Sequence, residues 1–297
     1  MTSTGACVGS FDVGGGYEFD RDTSVVSLVD GDSGIDERFR RHEFRYYECR
    51  VVEGWDILGN ANGGYLLSLL ARAAVDATGR PDVISASTHY LAPVSAGPAR
   101  IRVETVRSGR RFATAMVSMH LDRDGRDREV LRSLLTLGDL RGDPGGPSRR
   151  FDGAPDVAPY DSCTVDDRSE WPVAIRSRVD CRFDPRDAGL RTERRSGEAV
   201  VRGWFEFVDR RPIDSLSLLL ACDAFPPALF NADLPLGWVP TMDLSFQLHG
   251  LPTGGPVMCS FRTRHLDNGL LEEDGEIWDA SGNLLALSRQ LALAPRG

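Results

Sequence analysis

Three polar side chains in the C-terminal half stand in apolar surroundings. Asp223 follows Leu216 by seven residues, Leu219 by four and Leu220 by three. On a helix it would share one face with all three leucines. A carboxylate there is costly unless hydrogen-bonded, and buried carboxylates are uncommon away from working sites. The chemistry such a group offers is general-base catalysis. A plainer arrangement has the same spacing: Pro226 bends the chain, and Asp223 turns to solvent or caps a neighbouring segment. Thr241 opens a run in which Thr241, Asp243, Ser245 and Gln247 alternate with Met242, Leu244, Phe246 and Leu248. That is a strand with one polar and one apolar face. An ordinary half-exposed strand reads the same way, and Asp243 is a second candidate carboxylate, ranked below Asp223. Gln290 lies in an otherwise apolar closing run. Its amide can donate and accept, so it could orient water, stabilise an oxyanion, or be a satisfied interior amide.

Asn62-Gly63-Gly64 precedes a long apolar run. Asn62 suits a helix N-cap, and the glycines allow either close approach of a ligand to the backbone or tight helix–sheet packing. Other chemistries find little support. The 297 residues contain no lysine, so all 35 cations besides histidine are arginine. Schiff-base and phosphate-loop lysine chemistry are thereby excluded. The six cysteines form no C-x-x-C pair, the five histidines show no zinc spacing, and no metal site is expected. There is no G-x-S-x-G elbow and no G-x-G-x-x-G after a strand. Cys222 reads as core packing rather than a nucleophile, and His89 as a structural residue.

Net charge is −9, from 44 acidic residues against 35 basic ones. That balance argues against nucleic acid as a partner. With 41% hydrophobic and 27% charged residues, the chain reads as an ordinary globular protein. No apolar run approaches the ~18 residues of a membrane span. Residues 1–18 lack the apolar stretch of a signal peptide, and the scattered cysteines fit a reducing cytoplasm.

Residues 1–18 read as a flexible lead-in, and the Pro/Gly/Arg-rich residues 141–160 as a linker. They bound two expected units, 19–140 and 161–297. Each has an apolar helix followed by strand-like runs: a helix over 62–77 ended by Gly79 and Pro81, and one over 215–225 ended by Pro226 and Pro227. The strands repeat as well. Placing Gly125 on Gly282 gives an offset of 157 that also pairs Arg132 with Arg289 and Ser133 with Gln290. Earlier strands fit an offset of 156, which pairs Tyr90 with Phe246. On the 157 offset Leu66 takes the place of Asp223, so only the second unit keeps the full polar set. A helix followed by antiparallel strands gives an α+β unit, its curved sheet wrapping the helix. Two such units would join their sheets edge to edge.

NGGYLLSLLARAA (Asn62–Ala74), STHYLAPVSAGPARIRVETVRSGRRFATAMVSM (Ser87–Met119), LLLACDAFPPALFN (Leu218–Asn231), VPTMDLSFQLH (Val239–His249) and LLALSRQLAL (Leu284–Leu293) carry a resemblance. In their order along residues 19–294, the chain resembles the acyl-CoA thioesterase II group of double hot-dog proteins. The resemblance implies two tandem units, each with a long central helix in a curved antiparallel sheet. It implies water attack on a thioester by Asp223, Thr241 and Gln290, with Asp223 on the second central helix and no covalent intermediate. Coenzyme A then enters only as part of the substrate, and no separate cofactor is expected. Asn62, Gly63 and Gly64 would point N–H groups at the thioester carbonyl. Arg107, Arg110 and Arg111 would meet the coenzyme phosphates, because a −9 chain cannot steer an anion by global charge; a solvated turn is the plainer reading. Self-association into a dimer or larger is expected. Two other functions remain: a hot-dog enoyl-thioester hydratase, for which no D-x-x-x-x-H motif is found, and a non-catalytic acyl-CoA or lipid binder.

Overall fold

The structure is a computed structural model and describes residues 16–28, 44–142, 146–165, 173–190, 192 and 194–295. Residues 1–15 of the expected lead-in and 143–145 of the expected linker lie outside them. The first run of elements is α1 (Glu18–Asp22), β1 (Val25–Leu28), β2 (Phe44–Val51), the short pair β3 (Asp56–Ile57) and β4 (Asn60–Ala61), α2 (Gly63–Thr78), β5 (Asp82–Tyr90), β6 (Gly97–Ser108), β7 (Ala113–Arg123) and β8 (Arg126–Gly138). The second is β9 (Thr164–Val165), β10 (Val179–Phe183), β11 (Val200–Phe207), α3 (Ser215–Ala221), β12 (Thr241–Leu248), β13 (Val257–Arg262), β14 (Leu266–Asp267), β15 (Leu270–Trp278) and β16 (Leu284–Leu293). Residues 147–150 and 153–159 between the runs are irregular. Among the described residues no helix is long and apolar enough to cross a membrane.

All strands except β3 and β4 join one antiparallel sheet, in the order β1-β2-β6-β7-β8-β5-β12-β16-β15-β13-β11-β10-β9, with β14 on β15. The two halves therefore meet edge to edge at β5–β12. The ladders show the internal repeat directly. Ser87–Leu134, Thr88–Ser133, His89–Arg132 and Tyr90–Leu131 pair across β5 and β8. Asp243–Leu291, Leu244–Gln290, Ser245–Arg289 and Phe246–Ser288 pair across β12 and β16. Each second pair is the first moved by 156 on one strand and 157 on the other. At the junction, His89–Asp243 and Ser87–Ser245 flank Thr88–Leu244, as a local two-fold relation requires.

The helices differ. α2 is capped by the Asn62 side chain, which accepts from Tyr65 N–H at 2.9 Å. It ends on Gly79, whose φ of 65° admits the left-handed turn and lets its N–H reach Val75 O. Leu66, Leu67, Leu69, Leu70, Ala71, Ala73 and Ala74 are buried in the core. The expected second long helix is not formed: α3 has seven residues and stops at Ala221, with Cys222 as its C-cap. Pro226 lacks an N–H to bond back to Cys222, and Pro227 and Pro226 both disfavour helix in the residue before them. The chain turns away four residues before Pro226.

Candidate active site

Asp223 thus lies two residues beyond the last residue of α3, not on the helix. Leu216, Leu219 and Leu220 are buried as their spacing requires. The turn, however, aims the carboxylate at the start of α2. Asn62 Nδ2 donates to Asp223 Oδ2 at 2.9 Å and to its backbone O at 2.6 Å. Gly64 N–H donates to the same Oδ2 at 3.1 Å. This approach needs glycine: a Cβ on Gly64 would lie 2.6 Å from Leu219 O and 2.9 Å from Leu220 Cα. The glycine serves helix-on-helix contact, and the freed N–H groups hold the carboxylate.

Gln290 comes from the sheet. Its Nε2 reaches Asp223 Oδ1 at 3.3 Å and Cys222 O at 3.5 Å. Its Oε1 accepts from Thr241 Oγ1 at 2.7 Å, which turns the amide N–H groups toward Asp223. Simple alternation would put Thr241 on the outward face with Asp243, Ser245 and Gln247. The β12–β16 register slips between Thr241 and Asp243, and this irregularity turns Thr241 inward. Asp243 does not line the cavity.

Burial pushes the Asp223 carboxyl up to about 6, although the Gly64 and Gly63 N–H groups, Gln290 and Asn62 all favour its ionised form. Desolvation outweighs these donors because the helix ends and the sheet exclude water on most sides. Asp223, Thr241 and Gln290 line a cavity of about 480 Å³. Its walls are otherwise mainly apolar, including Ile175, Phe183, Phe225 and Phe230. Leu58, Leu91 and Trp238 also border it and are 67%, 54% and 48% exposed.

Asn62 and Gly63 are on the cavity wall, but their donors, like that of Gly64, bond to Asp223. Arg107, Arg110 and Arg111 are not on the wall. They occupy the exposed end of β6 and the turn into β7, where Gly109 O and Arg110 O accept from Arg80. Among the described residues the arginine on the wall is buried Arg176, just before β10. His89 is exposed on β5, away from the cavity. Cys222 is buried, and burial pushes its thiol up to about 12, far from a nucleophilic thiolate.

Three cavity residues carry no sequence signal that would single them out. Tyr90 Oη is buried without a hydrogen-bond partner among the described residues. It lies against the start of α2, since a Cβ on Gly63 would sit 2.9 Å from it. Burial and the charge of Asp223 hold its phenol well above the usual range. Glu273 is buried on β15, opposite Gln290 in the ladder. Arg176 is the third. A separate Ser118–His120–Asp127 row has hydrogen bonds of 2.9 and 2.8 Å. It lies on the sheet face opposite core residues Val117 and Met119, off the cavity, and Ser118 is 2% exposed. The β7 backbone there is engaged in ladders on both sides.

Two antiparallel halves joined edge to edge, the first folded about the central helix α2, give the architecture of a hot-dog protein. The comparisons agree. Residues 51–138 match the model of the acyl-CoA thioesterase N-terminal domain, and residues 155–294 that of the C-terminal domain. The chain belongs to the acyl-CoA thioesterase family. An uncharacterized Mycobacterium tuberculosis protein is 26% identical over 275 residues, covering 83% of this chain and 92% of that one. A Thermobifida fusca structure assigned as a thioesterase II superposes with TM-score 0.80 at 29% identity, covering 94% of this chain and 98% of that one. A hot-dog protein of unknown function from Alicyclobacillus acidocaldarius gives TM-score 0.76 at 19% identity, with the same coverage of 94% and 98%.

Proposed function

We propose that this protein hydrolyses an acyl-CoA thioester to the free acid and coenzyme A, with Asp223 as general base. The observation that carries the reading is the meeting of Asp223, Gln290 and Thr241 on one wall of a largely apolar cavity. A carboxylate raised to about 6 is ionised at neutral pH, yet a better base than an exposed one. Asp223 takes a proton from water, and the hydroxide oxygen bonds to the thioester carbon. Thr241 Oγ1 spends its proton on Gln290 and keeps lone pairs for that water. Negative charge gathers on the former carbonyl oxygen. The donors left for it are Tyr90 Oη, which has no partner among the described residues, and Gln290 Nε2, whose protein bonds are long. The intermediate then expels the coenzyme thiolate, which takes up the proton that Asp223 removed from water. Every bond made and broken balances without a covalent enzyme intermediate.

Among the described residues no histidine lines the cavity, which counts against the hydratase reading. A free-thiol assay over an acyl-CoA panel tests the proposal. Release by the wild type and its loss in Asp223→Asn are expected. A wild type inactive on every chain length, or an Asn variant at full rate, overturns it.

A further inference from the structure

Among the described residues, Asp223 and Glu273 are the two carboxylates on the cavity wall, and they are held differently. Asp223 accepts from Asn62 Nδ2, Gly64 N–H and Gln290 Nε2. Glu273 is buried on β15, and its Oε2 accepts from Ala228 N–H at 2.5 Å. No cation among the described residues offsets a charge on it. A buried carboxyl without a cation is more stable as the acid. Two connections tie Glu273 to the reacting centre. It pairs with Gln290 in the β15–β16 ladder, and the side chains of such a pair share one face, about 5 Å apart at Cβ. It also grips the chain beyond Asp223. Pro226 and Pro227 have no N–H, and Ala228 supplies the first one after them.

We infer that Glu273 is a positioning residue that works as a neutral acid: through Ala228 it fixes the turn carrying Asp223, and a negative charge on it turns the site off. This deepens the thioesterase reading and rests on it. Catalysis gathers negative charge beside Gln290, the ladder partner of Glu273. A second carboxylate charge there repels the oxyanion, and a buried charge is screened little by salt or water. Burial and the charge of Asp223 push the Glu273 carboxyl up to about 7, against about 6 for Asp223. Between those values Asp223 is ionised and Glu273 protonated. One group then accepts the water proton while the other adds no charge. The remaining titratable groups on the wall are Arg176, Tyr90 and Cys181. Glu272 and Asp274 adjoin Glu273 on β15 but alternate to the other face, where Arg264 and Arg289 engage them. Holding Ala228 N–H needs only an oxygen, which glutamine also supplies; the ionisable proton is what glutamine lacks.

The test uses the full chain, with thiol release from an acyl-CoA panel followed from about pH 5 to about pH 9 and the enzyme-free rate subtracted. Wild-type kcat/KM is expected to fall about tenfold per pH unit above about 7, by about 10²-fold in all. Glu273→Gln should hold the rate near pH ~6.5 within about threefold of wild type and lose the alkaline fall. Glu273→Leu, which cannot accept from Ala228 N–H, should lower kcat about tenfold or more at every pH. A wild type flat above pH ~7, an alkaline fall retained by the Gln variant, or a Leu variant at wild-type rate overturns the inference. If the Leu variant does not fold, the Gln profile decides alone. Melting reads the charge without turnover. A carboxyl raised above its unfolded value stabilises the native state at low pH and loses that contribution as pH rises through about 7. Wild-type Tm should therefore drop relative to that of Glu273→Gln between about pH 5 and about pH 8. Melting curves that run parallel overturn the inference. A wild type that releases no thiol from any acyl-CoA, yet keeps the divergence in Tm, overturns the thioesterase reading and leaves Glu273 standing as a buried neutral acid.

Discussion

The two halves of the sheet have the same ladder at their centres, but of the two matching pairs, among the described residues, only Leu244–Gln290 has a member on the cavity wall. In the second half, the pair Leu244–Gln290 puts a long amide beneath the end of α3. In the first, the matching pair is Thr88–Ser133. Ser133 bonds to Thr88 Oγ1 at 2.9 Å and both are sealed, at 1% and 0% exposure. The carboxylates at the two helix starts differ in the same way. Asp223 faces the start of α2 from the cavity wall. The start of α3 is closed by the Asp214–Ser217 capping box, by Arg211, and by buried Asp82, which accepts from Ser215. Tyr90 and Phe246, matched by the 156 offset, repeat the contrast as a phenol against a plain ring. A duplicated frame thus carries one open polar site, because α3 stops early while α2 runs on and fills its half.

Removing the feature that most separates the halves should have the largest effect. Asp223→Asn is expected to lower kcat about 10³-fold, within the range for a lost general base, with KM little changed. In the wild type, kcat/KM should fall about tenfold per pH unit below about 6, because the carboxyl must be ionised to accept a proton. A flat profile between pH 5 and 7 would remove Asp223 from the role. Gln290→Ser, which gives the second half the residue of the first, should cost about 10²-fold in kcat, as for a lost oxyanion donor. Tyr90→Phe copies Phe246 into the site and should cost about tenfold in steady-state kcat, without loss of Tm. A rate equal to wild type would leave the phenol a packing residue. Gly64→Ala forces α2 away from Leu219 O. It should destabilise by about 1–3 kcal/mol in denaturant melts and lower activity in parallel. The smallest effect belongs to the sealed half: Ser133→Ala should cost about 1 kcal/mol of stability and leave kcat within about twofold.

Much of this was legible in the residue order. The repeat, the offsets and the extent of α2 follow from periodicity, capping and turn residues, which act locally, and the edge-to-edge sheet was expected from the repeat of two such units. The meeting of Asp223, Thr241 and Gln290 was expected only through the family resemblance. Alternation by itself sends Thr241 outward, and helical spacing by itself keeps Asp223 on a helix that has already ended. Arg107, Arg110 and Arg111 form a conspicuous cluster in the sequence, yet they sit at an exposed hairpin end. Arg176, Tyr90 and Glu273 are inconspicuous, yet they line the cavity.

By itself the sequence determined what depends on neighbours along the chain: where strands alternate, where α2 is capped, where prolines forbid helix, and that the chain is an acidic, lysine-free, duplicated one. Tertiary structure alone decided which carboxylates face a cavity, what a helix start donates to, and which way a register irregularity turns a threonine. Those outcomes depend on water being excluded and on atoms brought together from positions as distant as Asn62 and Asp223, or Asp223 and Gln290. Neither condition is encoded within any one segment.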